Sequence, residues 1–322
     1  MRAPAFLVAL AVAFAGVAGA QAETYPSHPV TIIVPYPAGG PTDTLARILA
    51  DHMKNSLGQT IIIENVTGAA GSIGVARVAR AAPDGYTLSI GHWSSHVVLG
   101  ATMHLTYDTL NDFAPISLLA DTPIWLVARK DLPPKDLKEF IDWLKKNSAT
   151  AGAVGVGGAS DVTGVYFKNV TGTKFQFVPY RGAAPLNQDL VAGHIDFFLG
   201  MSAATYPLVR SHQIKAYAMM TKVRWWGAPE VPTMEESGVP GLYATFWHAL
   251  WAPKGTSQEA IAKLNAAVRA ALADPQVRQR FKDQGQDIPP PELQSPEALF
   301  AHHKAEIDKW WPIIKEAGIK TQ

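Results

Sequence analysis

The sequence predicts an α/β protein of two lobes, each a mainly parallel sheet flanked by helices. Strand and helix patterns alternate along two separate stretches, residues 30–91 and 151–219, and each stretch begins with a Gly-rich junction between a strand and a helix. The length of 322 residues suits two domains. Hydrophobic residues make up 48% and charged residues 17%, which is the ordinary composition of a globular protein.

The first junction reads PAGGPTD at residues 37–43, between a β-branched run at residues 30–34 and a helical pattern from Leu45 onward. Its glycines permit a tight turn, its second proline suits a first helical turn, and the polar residues that follow are capping types. Backbone N–H groups converge at such a helix start, where the dipole is positive, so the expected guest is an anion. An ordinary connection is the alternative. The segment has neither the ending of a phosphate loop nor a dinucleotide fingerprint.

The second junction reads GVGGASDVTG at residues 155–164. Its glycines allow a ligand to approach the backbone, and Ser160 or Asp161 can cap the helix that follows. Two such helix starts, opposed across a cleft, would hold one carboxylate or the two carboxylates of a diacid. Two unrelated connecting loops are the alternative.

The other elements follow from periodicity, breakers and β-branched runs. After the first junction the sequence predicts a strand at 60–64, a helix at 71–81, a strand at 87–91, and two extended stretches within 113–128 that residues 121–123 interrupt. The second series then comprises a helix at 135–146, strands at 151–156, 175–178, 195–199 and 214–219, and helices at 161–170, 184–192 and 203–210. A Pro- and Gly-rich connection at 225–243, a strand at 245–251 and helices at 258–273, 275–284 and 296–317 complete the chain.

Residues 1–22 have the features of a secretory signal peptide: Arg2, an apolar stretch at 6–17, and Ala20-Gln21-Ala22 as a cleavage site before Glu23. Lys and Arg number 28, so loss of Arg2 leaves 27 against 27 Asp and Glu. This balance argues against nucleic acid or an anionic membrane as a partner. The chain has no cysteine, which excludes thiol catalysis and thiolate metal sites. Export without cysteine indicates a Gram-negative periplasm.

Polar and aromatic side chains follow the third predicted strand, in the order His92-Trp93-Ser94-Ser95-His96. The Ser and His residues raise the alternative of an exported α/β hydrolase with Ser94 as its nucleophile, although no G-x-S-x-G elbow is present. His92 and His96 also suit one helix face as metal ligands, but no His-Glu-x-x-His pattern supports a metal site. The favoured interpretation is that Trp93 packs on the apolar part of a ligand while Ser94 and Ser95 donate hydrogen bonds. Packing of Trp93 in the core or at the lip of the cleft is an equal alternative.

Five motifs in order resemble the Bug family, the periplasmic solute receptors of tripartite tricarboxylate transporters. They are VPYPAGGPTDTLAR (34–47), PDGYTL (83–88), VPYRGAAPLNQDLVAGHIDFF (178–198), VPTMEESGVPG (231–241) and WAPKGTS (251–257). The resemblance spans essentially the whole mature chain. It implies a Venus flytrap fold whose first lobe comprises residues 23–124 and 246–322 and whose second comprises 125–245, joined by crossing strands.

The resemblance also implies a site formed by the loops at residues 37–43, 92–96 and 157–163. Arg181 falls at the family's basic position, and its guanidinium suits a carboxylate, although a surface salt bridge is an equal alternative. No catalytic residue, metal or cofactor is expected. The candidate ligand-binding residues are Tyr36, Ala38, Gly39, Gly40, Pro41, Thr42, Asp43, His92, Trp93, Ser94, Gly157, Gly158, Ser160, Asp161, Thr163, Arg181 and Met201.

The sequence departs from the family pattern at three places. Ser160-Asp161 stands where the family usually has Ser-His, Leu199-Gly200-Met201 is apolar where an Asp or Asn is common, and Trp93 lies among usually small residues. We therefore expect an aromatic carboxylate such as terephthalate, or a medium-chain dicarboxylate, as the ligand of a monomeric receptor. The expected partner is a membrane permease, and a sensor that presents its loaded form to a signalling protein is the alternative.

Overall fold

The computed structural model describes residues 24–154 and 158–319. The predicted signal peptide at residues 1–22 and the candidate Gly157 therefore lie outside the described residues. None of the helices in the described ranges is both long enough and apolar enough to cross a membrane.

The described residues form nine strands and ten α-helices. The strands are β1 (Val30–Val34), β2 (Ile61–Asn65), β3 (Thr87–His92), β4 (Phe113–Arg129), β5 (Thr150–Val154), β6 (Gln176–Tyr180), β7 (Phe197–Met201), β8 (Ile214–Met219) and β9 (Thr245–Pro253). The helices are α1 (Pro41–Leu57), α2 (Ser72–Ala79), α3 (Leu99–Thr102), α4 (Leu137–Leu144), α5 (Ala159–Thr171), α6 (Ala183–Ala192), α7 (Ser202–Arg210), α8 (Gln258–Ala273), α9 (Pro275–Asp283) and α10 (Pro296–Glu316). A π-helical turn at Ser94–Val98 precedes α3.

The strands form two half-sheets that share β4. The order is β2-β1-β3-β9-β4 in the first lobe and β4-β7-β5-β6 in the second, where β8 also pairs with β4. Strand β4 pairs with β9 as far as Pro123 and with β7 from Ile124 onward. The long strand β4 therefore crosses from the first lobe to the second. The domain boundaries near residues 124 and 246 stay a prediction.

The sheet is mixed. The outer pairs β1-β2, β1-β3, β5-β6 and β5-β7 are parallel, as expected, whereas all pairs that involve β4 or β9 are antiparallel. The predicted interruption at residues 121–123 is wrong, because β4 runs through it. Pro123 has no N–H to donate to a neighbouring strand. It lies at the position where the pairing of β4 with β9 ends and its pairing with β7 begins, so the strand can continue through it.

The helices cover the sheet with buried apolar faces. Leu45, Ile48 and Leu49 of α1 pack with Leu264 and Val268 of α8 in one core of the first lobe. The C-terminal helix α10 lies against β4 and the π-helical turn and also reaches α5. The tail of the chain thus returns to the first lobe and packs on its sheet.

Candidate functional site

A cavity of about 880 Å³ lies between the two lobes, in the size range of small-molecule sites. Its first-lobe wall is formed by residues 36–42, His92, Thr122, Phe246, His248 and residues 282–286. Its second-lobe wall is formed by Ala183, Met201, Ala203, Ala204, Tyr206, Pro207, Trp225 and Trp226. Most of these side chains are apolar or aromatic, with a few polar groups from the first lobe.

The start of α1 projects into this cavity, as the sequence predicts. Gly39 has a φ of +81°, which glycine adopts without strain, and Pro41 is the first helical residue. The Gly39 N–H donates to Asp43 Oδ2 at 2.8 Å and is therefore occupied. The amides of Thr42 and Asp43 have no acceptor in the described ranges, as is usual in a first helical turn. These two amides remain to bind an anion.

Asp43 supports the loop and does not line the cavity. Its carboxylate is buried and accepts from Arg47 at 2.9 Å and from the Asn65 amide at 3.0 Å. Burial raises its pKa, but these bonds and the one from Gly39 together hold the pKa below its ordinary value. A ligand contact of Asp43 is therefore expected through its backbone amide and not through its carboxylate, because both carboxylate oxygens already accept from the protein.

Thr42 and His248 form a buried hydrogen bond at the cavity wall. Thr42 Oγ1 lies 3.2 Å from His248 Nε2, and His248 Nδ1 has no partner in the described part of the chain. A buried N–H group without an acceptor is rarer than a buried acceptor without a donor, so Nδ1 is taken as unprotonated. We therefore place the proton on Nε2, where it donates to Thr42. The Thr42 hydroxyl is then free to donate into the cavity. Burial lowers the pKa of His248 to about 3, so the imidazole is neutral.

His92 provides a second uncharged donor. Its ring stacks on Tyr36 with centroids 4.4 Å apart and contacts Phe246 at 4.6 Å. Its Nδ1 accepts from the Ser94 N–H at 3.2 Å, which leaves the proton on Nε2. Within the described residues His92 Nε2 has no hydrogen-bond partner. Burial, with the neighbouring His248 and His96, holds the pKa of His92 well below its ordinary value.

On the second lobe the cavity is lined by the start of α7, not by the start of α5. Met201 precedes α7, and Ala203 and Ala204 of its first turn line the wall. The sequence predicted a helix at 203–210 and Met201 as a contact, but not the start of α7 as part of the site, because the apolar LGMSAA segment lacks a Gly-rich turn and any capping side chain.

The described residues of the predicted second junction, 158–164, are not part of the cavity lining. Ser160 Oγ accepts from the Val154 N–H at 2.8 Å, and the Thr163 hydroxyl donates to Ala159 O at 2.7 Å, so both side chains stabilise the junction between β5 and α5. Gly158 caps α5, and neither it nor Asp161 lines the cavity. Arg181 is exposed and also lies outside the lining.

Trp93 and Ser94 are placed differently from the prediction. Trp93 is fully buried in the core, edge-on to Trp310 with centroids 5.1 Å apart, because its position opens the π-helical turn that packs against α10. Ser94 contributes its backbone N–H to His92 and does not line the cavity. The stacking role expected for Trp93 falls instead to Tyr36, Phe246 and the pair Trp225 and Trp226.

The C-terminal segment at residues 282–286 was missed by sequence reasoning. The Thr122 hydroxyl donates to Gln286 Oε1 at 2.7 Å, which fixes this segment to β4. A Cβ on Gly285 would lie 3.0 Å from that of Ala203, so the two lobes meet closely here. Nothing in the sequence KDQGQ indicates a site. Among the described residues, no group of three or more His, Asp or Glu side chains is arranged to hold a metal.

Comparison with known proteins identifies the family. The model of the tripartite tricarboxylate transporter family receptor matches residues 45–319. The chain belongs to this family. It is 32% identical to protein BugT of Bordetella pertussis over 321 residues, which cover 98% of both chains. The Bug resemblance is therefore confirmed.

Solved structures of receptors from this family share the fold. MatC of Rhodopseudomonas palustris with bound malate is 38% identical, with a TM-score of 0.76 over 90% of this chain and 100% of that one. The R. palustris protein Rpa4515 with adipate is 31% identical, with a TM-score of 0.77 over 92% and 100%. The periplasmic binding protein BugD is 37% identical, with a TM-score of 0.75 over 92% of this chain and 100% of that one, so the two-lobed periplasmic binding protein fold is confirmed. Members of the tripartite tricarboxylate receptor family bind solutes and are not enzymes, so the receptor interpretation is confirmed over the hydrolase.

Proposed function

We propose that this receptor binds an organic carboxylate with an apolar body in the cavity between its lobes. An aromatic acid such as terephthalate or a dicarboxylate fits best, and the loaded receptor delivers it to the membrane permease of a tripartite tricarboxylate transporter. The mature receptor acts as a monomer in the periplasm, after cleavage near Ala22 and Glu23. The malate and adipate bound to the two R. palustris proteins support a carboxylate as the ligand class.

The observation that carries this proposal is the cluster of uncharged donors at the start of α1. The Thr42 hydroxyl, the His92 Nε2–H and the free amides of the first helical turn lie together where the helix dipole is positive. Such a cluster stabilises an anion without a buried cation. Of the candidate residues, those that line the cavity are proposed as ligand contacts: Tyr36, Ala38, Gly39, Gly40, Pro41, Thr42, His92 and Met201.

The apolar remainder of the wall supports the proposed ligand body. Tyr36, Phe246, Trp225 and Trp226 supply aromatic surface, and Met201 and Pro207 supply aliphatic surface. A small hydroxylated acid would leave this surface in contact with water, whereas an aromatic ring or a hydrocarbon chain would cover it.

Calorimetric titration of the mature chain, residues 23–322, tests the proposal. We expect terephthalate or adipate to bind more tightly than malate, because only the longer acids cover the aromatic wall. Tighter binding of malate would contradict the apolar ligand body, and binding of none of these acids would contradict the carboxylate function. Delivery is tested by uptake of the bound acid in cells that carry or lack the receptor gene.

A further inference from the structure

We propose that Lys282 and Gln286 form a second subsite, which selects ligands that carry a second anionic group. This inference rests on the proposed carboxylate function and adds a specificity determinant on the segment that follows α9. Both residues line the cavity and lie on the first lobe, four positions apart. Neither belongs to any loop that the family resemblance implicated.

Lys282 is the cation of this cavity. Among the lining residues that the structure describes, it is the one Lys or Arg side chain, and both lining histidines are kept neutral by burial. Its Nζ lies 4.5 Å from the centroid of the Trp226 ring, and it forms no ion pair with a described carboxylate. Asp287 accepts from the Trp226 indole, and the Lys282 charge opposes the rise in the pKa of Asp287 that burial causes. Asp283 accepts from Gln279 at 2.7 Å. The Lys282 ammonium can therefore bind an incoming anion.

Trp226 positions this ammonium from the other lobe. Its ring face attracts the Lys282 cation, while its indole N–H donates to Asp287 of the first lobe. The indole is thereby held on two sides by first-lobe residues. Lys282 loses less conformational freedom on binding a ligand when the ring already orients it.

Gln286 supplies a directed donor to the same cavity. Its side chain is 5% exposed, and its Oε1 already accepts the Thr122 hydroxyl at 2.7 Å. Its Nε2 has no hydrogen-bond partner in the described ranges and is not one of the fully buried unpaired atoms, so the amide is accessible to an incoming acceptor. A carboxylate in the cavity would accept this N–H.

The strand positions that anchor Thr42 and Gln286 indicate the length of a diacid that could reach both subsites. Thr122 is hydrogen-bonded to Gln286, and His248 is hydrogen-bonded to Thr42. In the pairing of β4 with β9, Thr122 lies opposite Phe246, and Ala120 lies opposite His248. The two anchors are therefore offset by two residues along β4 and β9, or roughly 7 Å. An extended chain of six carbons spans roughly 6 Å, and the carboxyl carbons of terephthalate are similarly separated.

Two matched ligand pairs test this subsite: adipate with hexanoate, and terephthalate with benzoate. In calorimetry we expect wild-type protein to bind the diacid of at least one pair about tenfold more tightly than its monoacid. Lys282→Gln should lower diacid affinity about tenfold and change monoacid affinity less than twofold, whereas Lys282→Arg should retain most of the preference. Lys315→Gln is the control, because Lys315 lies 5.1 Å over Trp311, outside the cavity. It should leave both affinities unchanged.

The outcomes separate this inference from the proposed function. Wild-type binding of diacids with unchanged affinity in Lys282→Gln would overturn the subsite and leave the carboxylate receptor standing. Equal losses for diacid and monoacid would also overturn it, because Lys282 would then not distinguish the second charge. If neither member of either pair binds the wild-type protein, both the subsite and the carboxylate function are contradicted.

Discussion

Thr42 Oγ1 and His248 Nε2 lie 3.2 Å apart, although 206 positions separate the two residues in the chain. The bond joins the first turn of α1 to β9, which pairs with β3 and β4. Both side chains are almost completely buried, so the bond is shielded from water and fixes the direction of the Thr42 hydroxyl. A neutral His248 can donate to Thr42 without adding charge to the cavity.

Replacement of Thr42 by Val is expected to weaken carboxylate binding about tenfold or more, because a hydrogen bond to a charged group is lost. Val has nearly the same shape, so the wall is preserved. Thr163→Val is the matched control, since the Thr163 hydroxyl donates within α5 and does not line the cavity. Calorimetry with adipate compares the two variants. An equal loss in Thr163→Val would return the start of α5 to the binding site.

Gly39→Ala should reduce ligand affinity, whereas Gly58→Ala should not. Both glycines have positive φ, +81° and +67°, and a Cβ at either position meets nothing within 4 Å. The two substitutions therefore impose the same kind of backbone strain, about 1 kcal/mol, at opposite ends of α1. Only the strain at Gly39 disturbs the amides that face the cavity. Similar affinities for the two variants would show that the loop geometry does not control binding.

Periodicity predicts most of this fold because local pattern decides local structure. The bounds of β1 and α8 follow directly from a β-branched run and from a capped apolar helix. The antiparallel pairing of β4 with β9 could not be predicted in this way, because register between strands more than a hundred residues apart leaves no local signal. The crossing of β4 between lobes came from the family resemblance.

The sequence predicted part of the cavity wall, namely the α1 start, Tyr36, His92 and Met201. The α1 start carries a Gly-Gly-Pro signature, and it does line the cavity. The α7 start and Gln286 carry no such signature, since an apolar turn and a lone amide occur anywhere on a protein. Trp93 was expected at the ligand because exposed aromatic side chains bind apolar groups, but packing against α10 buries it. Trp93 is buried by α10, which begins more than two hundred residues later in the chain, so no local sequence pattern indicates this burial.

Trp226, and not Trp93, is expected to report ligand binding by fluorescence. Trp93→Phe should leave the ligand-induced change intact and cost about 1–3 kcal/mol of stability, because a buried ring is made smaller. Trp226→Phe should reduce the change, since this indole lines the cavity and faces Lys282. Emission spectra with and without saturating adipate measure both effects. Loss of the change in Trp93→Phe alone would place that residue at the ligand.

The stability of the protein should fall as the pH drops below about 6.5, because four histidines are buried in neutral form. Burial lowers the pKa of His248 to about 3 and of His303 to about 4, and holds the pKa values of His92 and His96 well below 6.5. Between the native values and 6.5 the unfolded chain binds more protons, so acid favours unfolding. His248 alone should contribute a loss of about 2 kcal/mol between pH 7 and pH 5.

One buried carboxyl acts in the opposite direction. Burial raises the pKa of Asp121 to about 6, against a hydrogen bond from Thr245 that lowers it, so native Asp121 binds a proton before the unfolded chain does. Four histidines outweigh this single group, and the net free energy of unfolding should decrease between pH 7 and pH 5.

Urea unfolding at several pH values in this interval measures how steeply the free energy of unfolding changes with pH. The change should be smaller in His303→Gln. Gln can still donate to His96 O, as His303 Nε2 does at 2.7 Å, but it cannot titrate. If the free energy of unfolding of the wild-type protein stays constant or increases from pH 7 to pH 5, these histidines are not held neutral by burial.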